Sequence, residues 1–303
     1  DVGEIYGFFT GDLRPGESCK RFWLDHLEIK DFHGYGLDPH ETSDYLFITN
    51  CIAHGNKKDG MTIDACQYTV MANNVSFGND RHGFNFSTHP NHVHVFNNEV
   101  YGNGTDGIML QQGAYQFIIE NNTIYDNGRF GVYAFGAFLS RIRNNTIDNS
   151  GQSGVAINLK SQFIKVYGNT ITNSGQDGIL LKDCTNNIVD WNRIENTQSH
   201  GIRLYIASQN VVVNNDLINN SLQANDKRCR IQLDEDGVSF STYNVISNNE
   251  IISNTANRVA YGVREYTSNN DYNLIIFNTT IGANRGGVSI LGPHTISYGN
   301  ITQ

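Results

Sequence analysis

A right-handed parallel β-helix, an all-β solenoid of about 23–24 residues per coil, is predicted by three features of this 303-residue sequence. Glycine followed by an apolar residue recurs at Gly36, Gly60, Gly83, Gly107, Gly131, Gly154, Gly178 and Gly201, in steps of 23 or 24 residues. Asparagine keeps the same period at Asn50, Asn74, Asn98, Asn122, Asn145, Asn169, Asn192 and Asn215. Between the markers lie short runs of Val, Ile, Phe and Tyr with alternating character, separated by Asn, Gly and Asp turn chemistry. Two markers sharing one period mean a repeat. The period is too short for helical-pair repeats, and no Leu-rich signature accompanies it.

Each coil is expected to hold three short strands stacked on those of the coil before, rising ~4.8 Å per coil. The recurrent Asn is expected to form an internal ladder, each amide bonding the equivalent turn one coil away. With the marker Gly as position zero, position +1 reads Leu37, Met61, Phe84, Ile108, Val132, Val155, Ile179 and Ile202. Position +3 reads Pro39, Ile63, Phe86, Leu110, Ala134, Ile157, Leu181 and Leu204. Both columns are apolar and are placed in the core; +2 and +4 then face outward. The pattern breaks over residues 222–240, read as a loop insertion, and resumes at Gly262 and Gly286. The whole chain, 1–303, is read as a single β-helix domain without a linker.

Composition narrows the function classes. The net charge of −9 lacks the basic footprint of a nucleic-acid binder. No apolar run approaches the ~18 residues of a membrane span, and only 4 prolines argue against an extended Pro-rich polymer. Five cysteines without paired spacing are neither a disulfide scaffold nor a zinc signature. Buried ladder thiols are expected, with Cys51–Cys66 or Cys51–Cys19 as the alternative pairing. Sequons at Asn74, Asn103, Asn121 and Asn144 mostly fall on structural Asn turns, so the fold accounts for them. Opening at Asp1 without Met, the sequence reads as a processed or trimmed chain with no capping element in view.

Chemistry-bearing residues gather on one face of the first coils. The outward +4 column reads His40, Asp64, Ser87, Gln111, Phe135, Asn158, Lys182 and Tyr205; the +2 column opens with Asp38, Thr62, Asn85 and Met109 and ends with Arg203. Just before the glycines stand Tyr35, Asp59, His82 and Asp106, and one residue earlier Lys58, Arg81 and Arg129. Tyr, Asp, His and Arg thus stack within two or three ladder steps, ~5–10 Å. His40 and Asp64 are column neighbours, suited to a carboxylate that orients an imidazole. A single such residue on a solenoid face is ordinary solvated surface; the concentration at one end is not.

Four segments carry a family resemblance: GFFTGDLRPG near the start, YGLDPHE at 35–41, NDRHGFN at 79–85 and YGVREYTSNNDY at 261–272. They resemble mannuronan C5-epimerases, the modular secreted enzymes that modify alginate, over nearly the whole chain, with about two extra coils between Gly131 and Gly201. The resemblance implies a parallel β-helix that converts β-D-mannuronate to α-L-guluronate within the polymer. It places Tyr35, Asp38, His40 and Arg81 at the principal catalytic positions, and Asp64 and His82 along the same groove. Arg81 would neutralise the substrate carboxylate, because guanidinium is permanently charged and bidentate. Tyr35 and His40 are the acid–base pair that inversion requires, and residue chemistry leaves open which is the base, although family precedent leans to His40. Asp38 and Asp64 would orient the His and Arg.

Further substrate contacts are expected from Lys58, Asn85, Gln111, Arg129, Lys182, Arg203 and Glu4, the last standing where many family members carry Lys. Binding a polyanion on an acidic protein needs a local cationic track, for which Arg14, Lys20, Arg21, Lys57 and Lys160 are further candidates. Calcium is the one cofactor the resemblance allows; no metal ligands are assigned, and calcium-binding GGxGxDxUx repeats are absent. The expected partner is an alginate or polymannuronate chain, with no nucleic acid or membrane, the protein acting as a monomer, secreted, extracellular or in the cell wall. Two readings compete. One is an alginate or polyuronate lyase on the same fold, since cleavage of C4–O from the same intermediate gives β-elimination. The other is a non-catalytic polysaccharide-binding β-helix.

Overall fold

The computed structural model describes residues 5–10, 19–40, 43–222, 229–253 and 259–303, which fall into two compact units, Asp1–Ser150 and Gly151–Gln303. Every described strand pairing is parallel, and the described residues contain no helix. In the first unit the chain passes in turn through three sheets of six strands each. The first sheet runs Phe8–Thr10, Leu37–Pro39, Met61–Asp64, Phe84–Ser87, Ile108–Leu110 and Val132–Phe135. The second begins at Trp23–Asp25 and ends at Arg141–Arg143; the third begins at Glu28–Lys30 and ends at Thr146–Asp148. The second unit repeats this plan from Val155–Asn158 to Ile301–Thr302.

Register follows the marker arithmetic: Phe84 aligns with Met61 and Ile108, and Ser87 with Asp64. The +1 and +3 side chains fill the interior, Met61, Ile63, Phe84, Phe86, Ile108 and Leu110 all being fully buried. Marker glycines are required by close approach rather than by φ. A Cβ on Gly107 would lie 2.6 Å from Ile124 Cγ2 and 2.7 Å from the Gly131 carbonyl oxygen.

The asparagine ladder runs inside the first unit from Asn74 through Asn98 and Asn122 to Asn145, each Nδ2 donating to the next Oδ1 at 2.9–3.0 Å. Asn50 stands one residue out of register. It adopts φ 54°, and Cys51 takes the ladder place, its N–H bonding Asn74 Oδ1 at 2.9 Å. A second ladder not expected from the marker period joins Asn56, Asn79, Asn103 and Asn127. The cysteines are free thiols, with Cys51, Cys66, Cys184 and Cys229 buried and Cys19 exposed. Residues 222–240 are not one loop: the strand Ile231–Asp234 lies within them, pairing with Ile202–Tyr205. The irregularity comes from extra residues on both sides of a retained core strand.

Candidate active site

Successive coils of the first unit, from the turn before Phe8–Thr10 to the end of Ile108–Leu110, line a cavity of about 450 Å³. One wall comes from the turns and carries Tyr6, Tyr35, Lys58 and Arg81. The floor is the +2 column, Asp38, Thr62 and Asn85, and the opposite wall is the +4 column, His40, Asp64, Ser87 and Gln111. Strand alternation accounts for this division. The floor residues face outward as expected yet are only 2–3% exposed, because both walls rise over them.

His40 is the centre of the acidic wall. Its Nε2 lies 3.4 Å from Asp38 Oδ2 and 3.5 Å from Asp64 Oδ2, and Phe9 packs against the ring at 5.0 Å. Among the described residues, the other carboxylate oxygens, Oδ1 of Asp38 and of Asp64, are buried without a hydrogen-bond partner. Burial pushes Asp38 up to about 7; the neighbouring His40 opposes that shift, and Asp64 and Asp59 add to it.

The cationic wall faces it. Arg81 Nη1 donates to the Tyr35 hydroxyl at 3.4 Å, Lys58 Nζ lies 4.8 Å from the Tyr35 ring centre, and Tyr6 stacks on that ring at 5.6 Å. Arg81 Nε also lies 3.6 Å from Asp59 Oδ1. Asp59 is fully buried and accepts from the His82 backbone N–H, from Asn85 Nδ2 and from Thr62 Oγ1 at 2.8–3.2 Å. It ties the Arg81 turn to the floor.

The cavity brings together Tyr35, Asp38, His40, Lys58, Asp64, Arg81, Asn85 and Gln111 among the expected residues. His82 lies elsewhere. It is buried beneath the turn, where Nδ1 contacts Asp106 at 3.2 Å and Thr105 Oγ1 at 2.9 Å. Arg129 is bound to Asp106 through Nε at 2.8 Å and lies over the Phe130 and Tyr133 rings. Lys182 and Arg203 belong to the second unit, where both lie over the Tyr205 ring and Arg203 is paired with Asp234. Glu4 and Arg14 lie outside the described residues. Tyr6 was missed because the step from its own glycine, Gly7, to Gly36 is longer than the repeat; the register Phe8 to Leu37 places Tyr6 at the Tyr35 position of the preceding coil. Asp59 was visible in its column but carried no signal of its partners.

Among the described residues no group of three or more His, Cys, Asp or Glu is placed to hold a metal ion. No helix among them is long and apolar enough to cross a membrane.

Comparison with known proteins gives the following likenesses. The family described as "Right handed beta helix region" matches residues 87–225 and 140–301, and that described as "Periplasmic copper-binding protein (NosD)" matches residues 33–140. A stretch of 87 residues, 28% of this chain, is 39% identical to Mannuronan C5-epimerase AlgE4 of Azotobacter vinelandii. A stretch of 88 residues is 41% identical to Alginate lyase 7 of the same organism. These matches span 16% and 10% of the two relatives' own lengths. The A-module of Azotobacter vinelandii mannuronan C-5 epimerase AlgE6 superposes with a TM-score of 0.57 at 24% identity, covering 100% of this chain and 70% of that one. That last likeness concerns the fold.

Proposed function

The chain belongs to the right-handed β-helix family, and from that premise we propose that its first unit is an alginate-modifying active site whose principal reaction is C5 epimerisation of mannuronate to guluronate within the polymer. The observation that carries the reading is the pairing of two opposed walls in one cavity: Tyr35 with Arg81 on one, and His40 between Asp38 and Asp64 on the other. The likeness to a mannuronan C5-epimerase supplies the substrate class.

Arg81 pairs with the uronate carboxylate and lowers the acidity barrier at C5. His40 Nε2 takes the C5 proton, and the electron pair of the broken C–H bond moves into the carboxyl group. The imidazolium that forms is favoured by the Asp64 carboxylate and by Asp38, whose ionisation the His40 charge promotes. Tyr35 then returns a proton to C5 from the other wall. Its phenolate is stabilised by Arg81 and Lys58 until solvent reprotonates it, and His40 gives the proton it took from C5 back to solvent, which restores both groups. Inversion follows because donor and acceptor stand on opposite sides of the ring.

The likeness to an alginate lyase favours a second outcome at the same site. If the C4–O bond breaks before Tyr35 delivers its proton, the intermediate leaves as an unsaturated end. Proton NMR of polymannuronate incubated with the protein, followed alongside ultraviolet absorbance, tests both. Guluronate signals without rising absorbance are expected. Rising absorbance with unsaturated ends gives the lyase, and neither signal leaves a binding solenoid. We place the protein outside the cell, where such a polymer is met.

A further inference from the structure

We propose a second saccharide-binding site in the first unit, on the outer face of the second sheet, that takes an acidic sugar chain and is separate from the groove that holds His40. A cavity of about 430 Å³ opens there, lined among others by His92, His94, Gln116, Ile118, Leu139 and Arg141. The choice of a uronate as the acidic sugar rests on the reading given above for the first site.

Two columns shape this face. At a left-handed position just before or at the start of each second-sheet strand stand Arg21, Tyr45, Tyr68 and His92, with φ between 55° and 61°. Their rings stack coil upon coil, Tyr45 on Tyr68 and Tyr68 on His92, both at 4.8 Å. The stack stops at His92, which Tyr115 meets edge-on at 6.5 Å; Gln116 and Leu139 continue the turn column with φ 57° and 49°. The outward strand column aligns Trp23 with Phe47, Phe47 with Val70, Val70 with His94, His94 with Ile118 and Ile118 with Arg141. Trp23, Phe47, Tyr45, Tyr68 and Leu139 are exposed. The cavity thus lies where an exposed aromatic ladder gives way to a cleft.

Charge selects an acidic occupant. Glu120 is the carboxylate beside the cleft, and its two oxygens are engaged by His94 and Arg143. Burial works against its ionisation, yet these hydrogen bonds hold it below the usual carboxylate range. Arg141, exposed at the rim, forms no ion pair with any described residue. A guanidinium without a counter-charge beside ring edges, an amide and aliphatic walls matches a carboxylate carried on a sugar ring. One coil step of ~4.8 Å is comparable to one sugar residue of an extended chain, so successive rings can meet successive coils.

The test is a titration of the full chain with a mannuronate hexamer, read on the imidazole NMR signals of His40, His92 and His94. Wild type is expected to show His92 and His94 moving as well as His40. In Arg81→Ala the His92 and His94 signals should still move with wild-type affinity. In Arg141→Ala they should need about tenfold more ligand or beyond, as loss of one charge-assisted contact implies, while His40 titrates as before. The proposal is overturned if His92 and His94 stay unmoved in wild type, if Arg141→Ala titrates like wild type, or if a neutral glucose hexamer moves them equally. Movement of His92 and His94 with His40 silent would support this site and sink the reading of the first one.

Discussion

Asp38 carries its carboxyl group 2% exposed beneath His40, and burial pushes its pKa up to about 7. The folded chain therefore holds this proton more tightly than the unfolded chain does. The associated stability is present below about pH 4 and is lost as pH rises towards 7. Asp38→Asn is expected to flatten that decline in urea midpoints measured across the same range. It should also lower kcat roughly 10–100-fold, because an amide does not stabilise the imidazolium of His40. Arg230 is a second residue at odds with its surroundings. Its side chain is fully buried, and none of its three guanidinium nitrogens has a hydrogen-bond partner among the described residues; burial pushes its pKa down to about 10. The register of Ile202 with Ile231 puts it opposite the marker glycine Gly201. Replacing a buried unpaired charge by an apolar chain of similar length removes a desolvation penalty, so Arg230→Met should stabilise the protein by on the order of 1–4 kcal/mol, read as a higher urea midpoint at unchanged m.

Single strands of three or four residues have little stability alone, and the coils are held by what passes between them. Asn98 illustrates the scale. Its Nδ2 donates to Asn122 Oδ1 and to the carbonyl of Met71, and its Oδ1 accepts both the backbone N–H and the side-chain amide of Asn74. Asn98→Ala leaves several of these buried groups unmatched, at about 1–3 kcal/mol each, and a loss of roughly 3 kcal/mol or more is expected in thermal or urea unfolding. The adjacent Asn97 is a control. It occupies φ 55° and lies outside the ladder, so Asn97→Gly keeps the turn conformation and should change stability by about 1 kcal/mol at most. The ladder was legible in the sequence because its members repeat at the marker spacing. The Cys51 substitution was not, since Asn50 beside it stands 24 residues before Asn74 and fits the period, whereas it is the Cys51 backbone N–H that donates to Asn74. The strand Ile231–Asp234 was hidden for a related reason: insertions on either side displaced it from the period, although its IQLD alternation is that of the other first-sheet strands.

For the protein as a whole, the net charge of −9 opposes the approach of a polyuronate, while Lys58 and Arg81 attract it within the groove. The two effects have different ranges. Exposed charges are screened beyond ~10 Å at 0.1 M salt, whereas contacts inside a partly buried cleft are screened less. The KM for polymannuronate should therefore fall as ionic strength rises from about 0.01 M to about 0.1 M, and climb again at higher salt as the groove contacts weaken. A monotonic rise from the lowest salt would mean that the cationic wall dominates the encounter at every distance. Arg203 and Arg129 add less to this attraction than their sequence positions suggest, because Asp234 and Asp106 already hold them.

The sequence by itself determined the coil length, the three-strand plan, the division of side chains between core and surface, and the gathering of Tyr35, Asp38, His40, Lys58, Asp64 and Arg81 on one face. All of these follow from two periods, that of the repeat and that of the strand, which are properties of spacing along one chain. Only the tertiary structure decided that the floor residues would be buried although they face outward. It also decided that Asp38 would share His40 with Asp64, that Asp59 would tie down the Arg81 turn, that Tyr6 would join the wall, and that His82 would turn beneath it to Asp106. Those outcomes depend on distances and desolvation between side chains one coil apart, which residue spacing constrains to the right column but not to the right partner.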